Sequence, residues 1–319
     1  MNVLITGCAG FIGYSLVIDL CKKGYNVIGI DNLNDYYSLD LKQTRLTELY
    51  KNKNFTFFLK DINQLDELSF DLNIDIFINL AAQAGVRLHP SQFSKYIHSN
   101  INGFNSVLDF CSKNNIKKLI YASSSSVYGD SNIIPFSEDQ SISSPKSFYA
   151  ASKIFNENLA HIHSTQNNLS LIGLRFFTVY GPWGRPDMAY YYFAESIFAE
   201  REMILNNNGE MERDMTYIDD IVQGINLSIS YIKQESSVSN QIFNLGNDYP
   251  IRTIELLNML EEKLGKKAAI NHHQTLNEIE STHADLNKSK SLLGYEPSIT
   301  FDEGIDRFID WFKWYKSRL

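Results

Sequence analysis

Asn2-Val-Leu-Ile-Thr6-Gly7-Cys-Ala-Gly10-Phe-Ile-Gly13 decides the fold. The apolar run over 2–6 predicts a buried strand. A glycine-rich turn follows, then a helical pattern on Phe11, Leu16, Val17 and Leu20. Lys22-Lys23-Gly24 closes that helix, with glycine as its cap. A second strand over 26–30 ends on Asp31. Strand, glycine turn, helix, strand and terminal acid make a βαβ unit. Gly7 lets the chain turn sharply, Gly10 removes a side chain that would block a pyrophosphate, and Gly13 lets the helix pack close to the sheet. The helix N-terminus, at Phe11 and Ile12, then faces phosphates.

The spacing is Gly-x-x-Gly-x-x-Gly, one residue longer than the common dinucleotide fingerprint. Asp31, with Asn32 beside it, is placed to accept bonds from ribose hydroxyls. Its charge repels a 2′-phosphate, which favours NAD over NADP.

Further strands alternate with helices. Residues 34–53 are polar, with helical leucines at 41, 46 and 49. A third strand over 55–59 leads to Asp61 and Ile62, where adenine is expected, Asp61 accepting from its amino group and Ile62 against its face. A fourth strand over 74–80 ends at Leu80, and Ala81 and Ala82 are small enough for a cofactor to lie across them. Gln83–Arg87 is a loop, and Arg87 is either a solvated charge or a contact to an anionic substrate group. A long helix is expected over 91–115, a strand over 117–122, a helix over 147–167 and a sixth strand over 169–174. The result is an α/β fold, a doubly wound parallel sheet of Rossmann type, with its ligand at the carboxyl ends of the strands.

After the turn-rich stretch 175–187, helices are expected over 189–201, 218–232, 253–264, 287–293 and 302–317, with a strand near 241–245 returning to the sheet. This divides the chain into a dinucleotide-binding domain over 1–175 and a smaller mixed α/β substrate domain, mostly 176–319, closing a cleft.

Four serines, Ser123 to Ser126, stand at the end of the 117–122 strand. Tyr149 and Lys153 lie four apart and share one helix face. A lysine so placed favours the phenolate, and a nearby serine hydroxyl can share the proton. This is an acid–base set for an alcohol or a carbonyl. Tyr-x-x-x-Lys alone arises on many helices; its weight comes from the serines and the glycine turn.

Composition narrows the class. The 319 residues are 44% hydrophobic and 21% charged, enough for a sizeable core. A net charge of −8 and the lack of a long basic run argue against nucleic acid as a partner. The apolar runs are too short to span a bilayer. Three cysteines without a Cys-x-x-Cys fit reduced thiols and a cytoplasmic location. The first strand begins at once, so no leader is expected. His161 and His163 do not share a helix face and His272-His273 lack spaced partners, so no metal site is expected.

Taken together, these residues resemble the extended short-chain dehydrogenase/reductase family, and within it the nucleotide-sugar epimerases, above all the UDP-glucuronate 4-epimerases. The likeness is carried by Val-Leu-Ile-Thr-Gly7-x-x-Gly-Phe-Ile-Gly13, Gly-Ile-Asp31-Asn-Leu-Asn-Asp-Tyr-Tyr37, Leu-Ala-Ala-Gln-Ala-Gly-Val-Arg87, Tyr-Ala-Ser-Ser-Ser-Ser-Val-Tyr-Gly129 and Tyr149-x-x-x-Lys153. Arg-Phe-Phe-Thr-Val-Tyr-Gly-Pro-Trp-Gly-Arg-Pro-Asp-Met188 and Arg213-Asp-x-Thr-Tyr-Ile-Asp-Asp220 complete it, and it covers nearly the whole chain.

The resemblance implies that Tyr149, assisted by Ser124 and Ser126, takes the proton from the sugar 4-OH while hydride passes from C4 to NAD. Lys153 tunes the tyrosine and holds the nicotinamide ribose. The 4-keto sugar turns over, and hydride returns to its other face. That intermediate of a uronate is a β-keto acid, prone to lose CO₂. Its carboxylate must be held, by Thr178, the neighbouring serines (Ser125 among them) and backbone amides, with Arg185 adding charge at the pocket mouth. Relatives acting on neutral hexoses carry asparagine at the position of Thr178. Arg213 matches the arginine that meets the UDP diphosphate. Glu278, after Asn277, stands where relatives have an aspartate after glycine that meets the nucleotide ribose. The two long helices match a dimer interface, an intermolecular four-helix bundle, which implies a homodimer. A neutral or N-acetylated UDP-hexose epimerase, a UDP-glucuronate decarboxylase, and a dinucleotide-binding regulator without catalysis are the alternatives. The intact Ser/Tyr/Lys set speaks against the last.

Overall fold

The computed structural model describes residues 1–70, 72–275 and 279–318. Its frame is a seven-stranded sheet. β1 (Asn2–Thr6), α1 (Phe11–Lys22) and β2 (Asn26–Asp31) form the opening βαβ unit. α2 (Leu39–Leu49), β3 (Phe55–Leu59) and β4 (Ile76–Asn79) follow. α3 (Ser94–Tyr96) runs through a π-helical stretch, Ile97–Asn102, into α4 (Gly103–Lys113). β5 (Lys118–Ser124), α5 (Phe148–Asn167) and β6 (Ser170–Phe176) come next.

The sheet order is β3-β2-β1-β4-β5-β6, extended at its far edge by β10 (Asn240–Leu245), which pairs with β6. Every pairing is parallel. Such strands are covered on both faces, so they read as apolar runs without alternation. All seven residues of β6 are buried. One face packs on α1 and α2 through Leu16, Leu20, Leu41 and Leu46; the other packs on α4 and α5 through Phe104, Leu108 and Ala160. The order reverses between β1 and β4, which opens a crevice at their carboxyl ends.

Of the remaining elements, α7 (Ile218–Gln234) packs beside α1 on the sheet, and the others build a second, smaller part of the chain. β7 (Thr178–Tyr180) pairs with β9 (Glu212–Tyr217), which also carries β11 (Pro250–Arg252) and β13 (Ser281–Thr282). β8 (Glu202–Asn206) pairs with β12 (Ala269–His273). α6 (Ala189–Phe198), α8 (Thr253–Leu264) and α9 (Phe301–Lys316) complete the chain.

Several expected boundaries shift. The single helix expected over 91–115 is a 3₁₀ turn (Pro90–Gln92), α3, the π stretch and α4, which stops at Lys113. The helix expected over 189–201 ends at Phe198, ahead of the left-handed Glu200. The helix expected over 287–293 is largely a π-type turn, Ser289–Leu293. The stretch 212–217, read as a lead-in to a helix, is a strand. Among the described residues no helix is long and apolar enough to cross a membrane.

Candidate active site

The crevice holds a cavity of about 1100 Å³. At its floor is the glycine turn. Gly7 has φ +74°, and a Cβ there would stand 2.7 Å from the amide of Ala81. A Cβ on Gly13 would stand 2.1 Å from the Gly7 carbonyl oxygen. Only glycine lets α1 start this close to β1 and β4. Gly10 is the cap of α1 and uses no side chain for it, so the first amides of the helix, at Phe11, Ile12 and Gly13, border the cavity. These amides form an anion site of the kind a pyrophosphate fills.

Asp31 ends β2 on the cavity wall and accepts from the amides of Ala9 (3.1 Å) and Leu33 (2.8 Å). Burial pushes its carboxyl up; Lys42, the two amides and Arg45 oppose this. Asn32, Ile62, Leu80, Ala81 and Ala82 also line the cavity. Asp61 does not: its neighbours Lys60 and Ile62 form the wall. Its carboxylate accepts from Asn32 Nδ2 (2.8 Å) and the Asn63 amide (2.9 Å), with His98 Nε2 at 3.1 Å. Burial alone would raise its pKa, but these bonds outweigh it and bring it to about 2. The carboxylate thus supports Asn32 on the cavity wall.

Ser124 is the last residue of β5, and Ser125–Tyr128 continue as a 3₁₀ turn. Ser124 Oγ accepts from the amide of Ser126 (3.2 Å) and from Ser126 Oγ (3.0 Å). Across the cavity α5 begins at Ser147, whose hydroxyl accepts from the amide of Ala150 at 3.1 Å. This capping, which typically contributes ~1 kcal/mol, fixes the first turn, where Tyr149 sits. Lys153, one turn on and 2% exposed, donates from Nζ to the Ala122 carbonyl (2.8 Å) and stands 5.7 Å from the centre of the Tyr149 ring. Burial raises the Tyr149 phenol, against Arg185 and the Ser124 hydroxyl, which lower it. Burial likewise lowers Lys153 to about 8, opposed by Glu157.

Glu157, one further turn along α5, was not read from the sequence. It accepts from Ser123 Oγ (2.5 Å) and takes Arg175 in a forked pair (2.9 and 2.8 Å). Arg175 also donates to Tyr128 OH (2.9 Å), which donates to Asn244 Oδ1 (2.6 Å). This buried chain fastens β5, α5, β6 and β10 behind the reacting side chains. A charge at the end of an apolar strand, as Arg175 is, was its one sequence signal. Asn100, from the π stretch, donates to Ser152 Oγ (3.0 Å) and the Gln83 carbonyl (3.2 Å), and so ties α5 to the loop after β4.

Thr178 heads β7 and lines the cavity with Ser125, Arg87 and Arg213. Arg87 is exposed on its loop. Arg213, on β9, donates to the Glu212 carbonyl at 2.6 Å. Arg185, expected to add charge at the mouth, grips Asp187 with two bonds (3.0 and 2.5 Å), so its charge is largely balanced in place. Tyr36 OH donates to the same carboxylate (3.0 Å), joining the loops after β2 and β7. Asn277 and Glu278 lie outside the described residues; Thr275 and Ile279 on either side line the cavity. Among the described residues no group of His, Cys, Asp and Glu could hold a metal ion.

A glycine turn, a buried acid at the end of β2 and a Ser/Tyr/Lys set around one cavity are the parts of a dinucleotide-dependent enzyme. Over residues 3–246 the chain matches the NAD dependent epimerase/dehydratase family, and it belongs to that family. It is 44% identical to uncharacterized protein MJ1055 of Methanocaldococcus jannaschii over 98% of this chain and 96% of that one. UDP-glucuronate 4-epimerase 4 of Arabidopsis thaliana is 39% identical, covering 99% of this chain and 76% of its own. The structure of UDP-glucuronic acid 4-epimerase from Bacillus cereus in complex with UDP-glucuronic acid and NAD superposes with a TM-score of 0.91, at 31% identity, covering 99% and 100%. The protein is an NAD-dependent epimerase-type enzyme, and the cradle at Gly7, Gly10 and Gly13 with Asp31 fits the dinucleotide.

Proposed function

We propose that the protein interconverts UDP-glucuronate and UDP-galacturonate by epimerisation at C4. The observation that carries this reading is Thr178 on the wall of the cavity that Ser125 also lines, a short hydroxyl side chain that leaves room for a carboxylate. Likeness over the full chain to UDP-glucuronate 4-epimerases supports it. In the first half-reaction Tyr149 accepts the proton of the sugar 4-OH, with Ser124 and Ser126 sharing it; in the second it returns the proton. Lys153, fixed by the Ala122 carbonyl, holds the nicotinamide ribose and adds positive charge near the phenol. When bound, NAD supplies the redox step, taking hydride from C4 and giving it back. Thr178, Ser125 and nearby amides keep the carboxylate out of line with the C4 carbonyl, which suppresses loss of CO₂. Arg213 meets the diphosphate, a charge-assisted contact, and Arg87 meets an anionic group at the mouth.

In this reading residues 1–175 with the returning strand hold the cofactor, and 176–319 mostly hold the nucleotide sugar. The active form is a homodimer through α3, α4 and α5, with UDP-sugar and NAD as its small-molecule partners. It works in the cytoplasm, where its three buried thiols stay reduced.

The Arg185–Asp187 pair favours a second reading, a neutral UDP-hexose, because it leaves less free positive charge at the mouth. Incubation with UDP-glucuronate and with UDP-glucose, without added reductant, separates the two by chromatography and proton NMR. Drift of the uronate to UDP-galacturonate with no pentose product supports the first reading. Conversion of UDP-glucose alone replaces it with the second. Tyr149→Phe is expected to lower turnover by about 10²–10⁴-fold while nucleotide binding persists. Undiminished turnover in that variant refutes the assigned acid–base step.

A further inference from the structure

Lys42 is an unusual group on the cavity wall. It lies in the first turn of α2, is only 4% exposed, and lines the cavity near Asp31 and Tyr37. Lysine is almost never buried this far without a carboxylate partner. Among the described residues no carboxylate pairs with Lys42. Its Nζ donates to the Asn34 carbonyl (2.7 Å) and to Asn34 Oδ1 (3.0 Å), and lies 4.7 Å over the Tyr37 ring. An ammonium has three protons to donate, so one is left for what fills the cavity.

A second buried cation stands close by. Arg45, 0% exposed, donates to the Ala9 carbonyl (2.8 Å), to Tyr37 OH (2.7 Å) and to the Trp183 carbonyl (2.5 Å), none of which carries charge. Lys42 and Arg45 both act on Asp31, Lys42 the more strongly. Asp31 and Lys42 therefore share the end of the cavity where the sequence placed only the acid, with Asp35 also acting on the ammonium and Arg45 behind the wall.

We propose that Lys42 is a cofactor-specificity residue: it meets the adenosine ribose together with Asp31, and Asp31 alone keeps this ribose site from accepting a 2′-phosphate that Lys42 would bind. NAD preference then rests on a single repulsive charge placed over a site otherwise suited to an anion. Such repulsion of the wrong ligand is how many sites discriminate. Replacing Asp31 should thus open the site to NADP without any new cation being introduced.

The test is isothermal titration of NAD and NADP into the full chain freed of nucleotide, in wild type, Asp31→Asn, Lys42→Met and the double variant. Asp31→Ser accompanies Asp31→Asn, because an amide cannot accept from both Ala9 and Leu33 as the carboxylate does. Thermal melting confirms that each variant is folded. Asp31→Asn or Asp31→Ser should bind NADP at least about tenfold more tightly than wild type, the scale of one charge-assisted contact. Adding Lys42→Met should abolish that gain, and adding Lys42→Arg should preserve it. Equal NADP affinity in the Asp31 variants with and without Lys42→Met overturns the proposal. So does an equal loss of NAD and NADP on Lys42→Met in both backgrounds, which would put the ammonium at the pyrophosphate common to both. Failure of both Asp31 variants to gain NADP overturns it as well.

Discussion

Tyr149 and Lys153 must exchange or carry charge where burial opposes charge. For Lys153 the consequence is a pH-dependent stability. Its ordinary pKa of 10.5 falls to about 8 in the fold. Below both values each state holds the proton, and the full cost of burying the ammonium is present. Between them the unfolded chain holds a proton that the folded one has released, so stability rises with pH across this window. Lys153→Met should lack that rise. Urea midpoints of the nucleotide-free protein at about pH 7.5 and pH 9.5 should therefore favour wild type over the variant more strongly at the higher pH. Parallel behaviour would mean that Lys153 stays charged throughout. Gly13 offers a steric counterpart. A methyl there meets the Gly7 carbonyl at 2.1 Å, and backbone on both sides leaves little room to yield. Gly13→Ala should cost about 1–3 kcal/mol, the usual scale of overpacking, and should weaken NAD binding, read by a melt and a titration.

Three strands of the sheet and one helix meet behind the site through one buried charge pair. Glu157 on α5 holds Arg175 on β6 and Ser123 on β5, and Tyr128 carries the link to Asn244 on β10. Glu157→Gln keeps the shape but leaves the guanidinium without its counter-charge. Breaking a buried pair in this way costs about 3–5 kcal/mol, and chemical denaturation should show a loss on that scale. A loss below about 1 kcal/mol would mean that water reaches Arg175. This pair also marks where the sequence stopped being readable. The strands that became β1 to β6 are apolar runs between turn residues, and burial on both faces makes the inner ones so, β3 at the edge being half exposed. β12 carries Asn271, His272 and His273 and is almost wholly exposed, and β8 is half exposed, so neither gives an apolar signal. The Tyr149/Lys153 spacing and the glycine turn were legible because local geometry sets them. Glu157, Asn244 and Asn100 act through partners far away in the chain, and no local pattern announces them. Arg185 was legible as a residue but not in its pairing, because Asp187 could equally have faced solvent.

The two faces of α5 have opposite characters. Tyr149, Lys153 and Glu157 look inward, while Phe155 and Ile162 on the other side are 42% and 45% exposed. Ile97, where α3 passes into the π stretch, is 43% exposed. Large apolar side chains kept in water along a helix this close to the site need a cover, and a second copy of the same face supplies one of matching shape and character. The homodimer proposed above would bury them. Phe155→Glu with Ile162→Glu would place charges against the same two charges of the partner. Sedimentation velocity at micromolar concentration should give a dimer for wild type and a monomer for this double variant. NAD titration should still register binding in the monomer, because Gly7, Gly13 and Asp31 lie on the far side of the sheet's switch point from α5. A wild-type monomer at that concentration would leave Phe155 and Ile162 without the cover assigned to them. A dimeric double variant would place the interface elsewhere on the molecule.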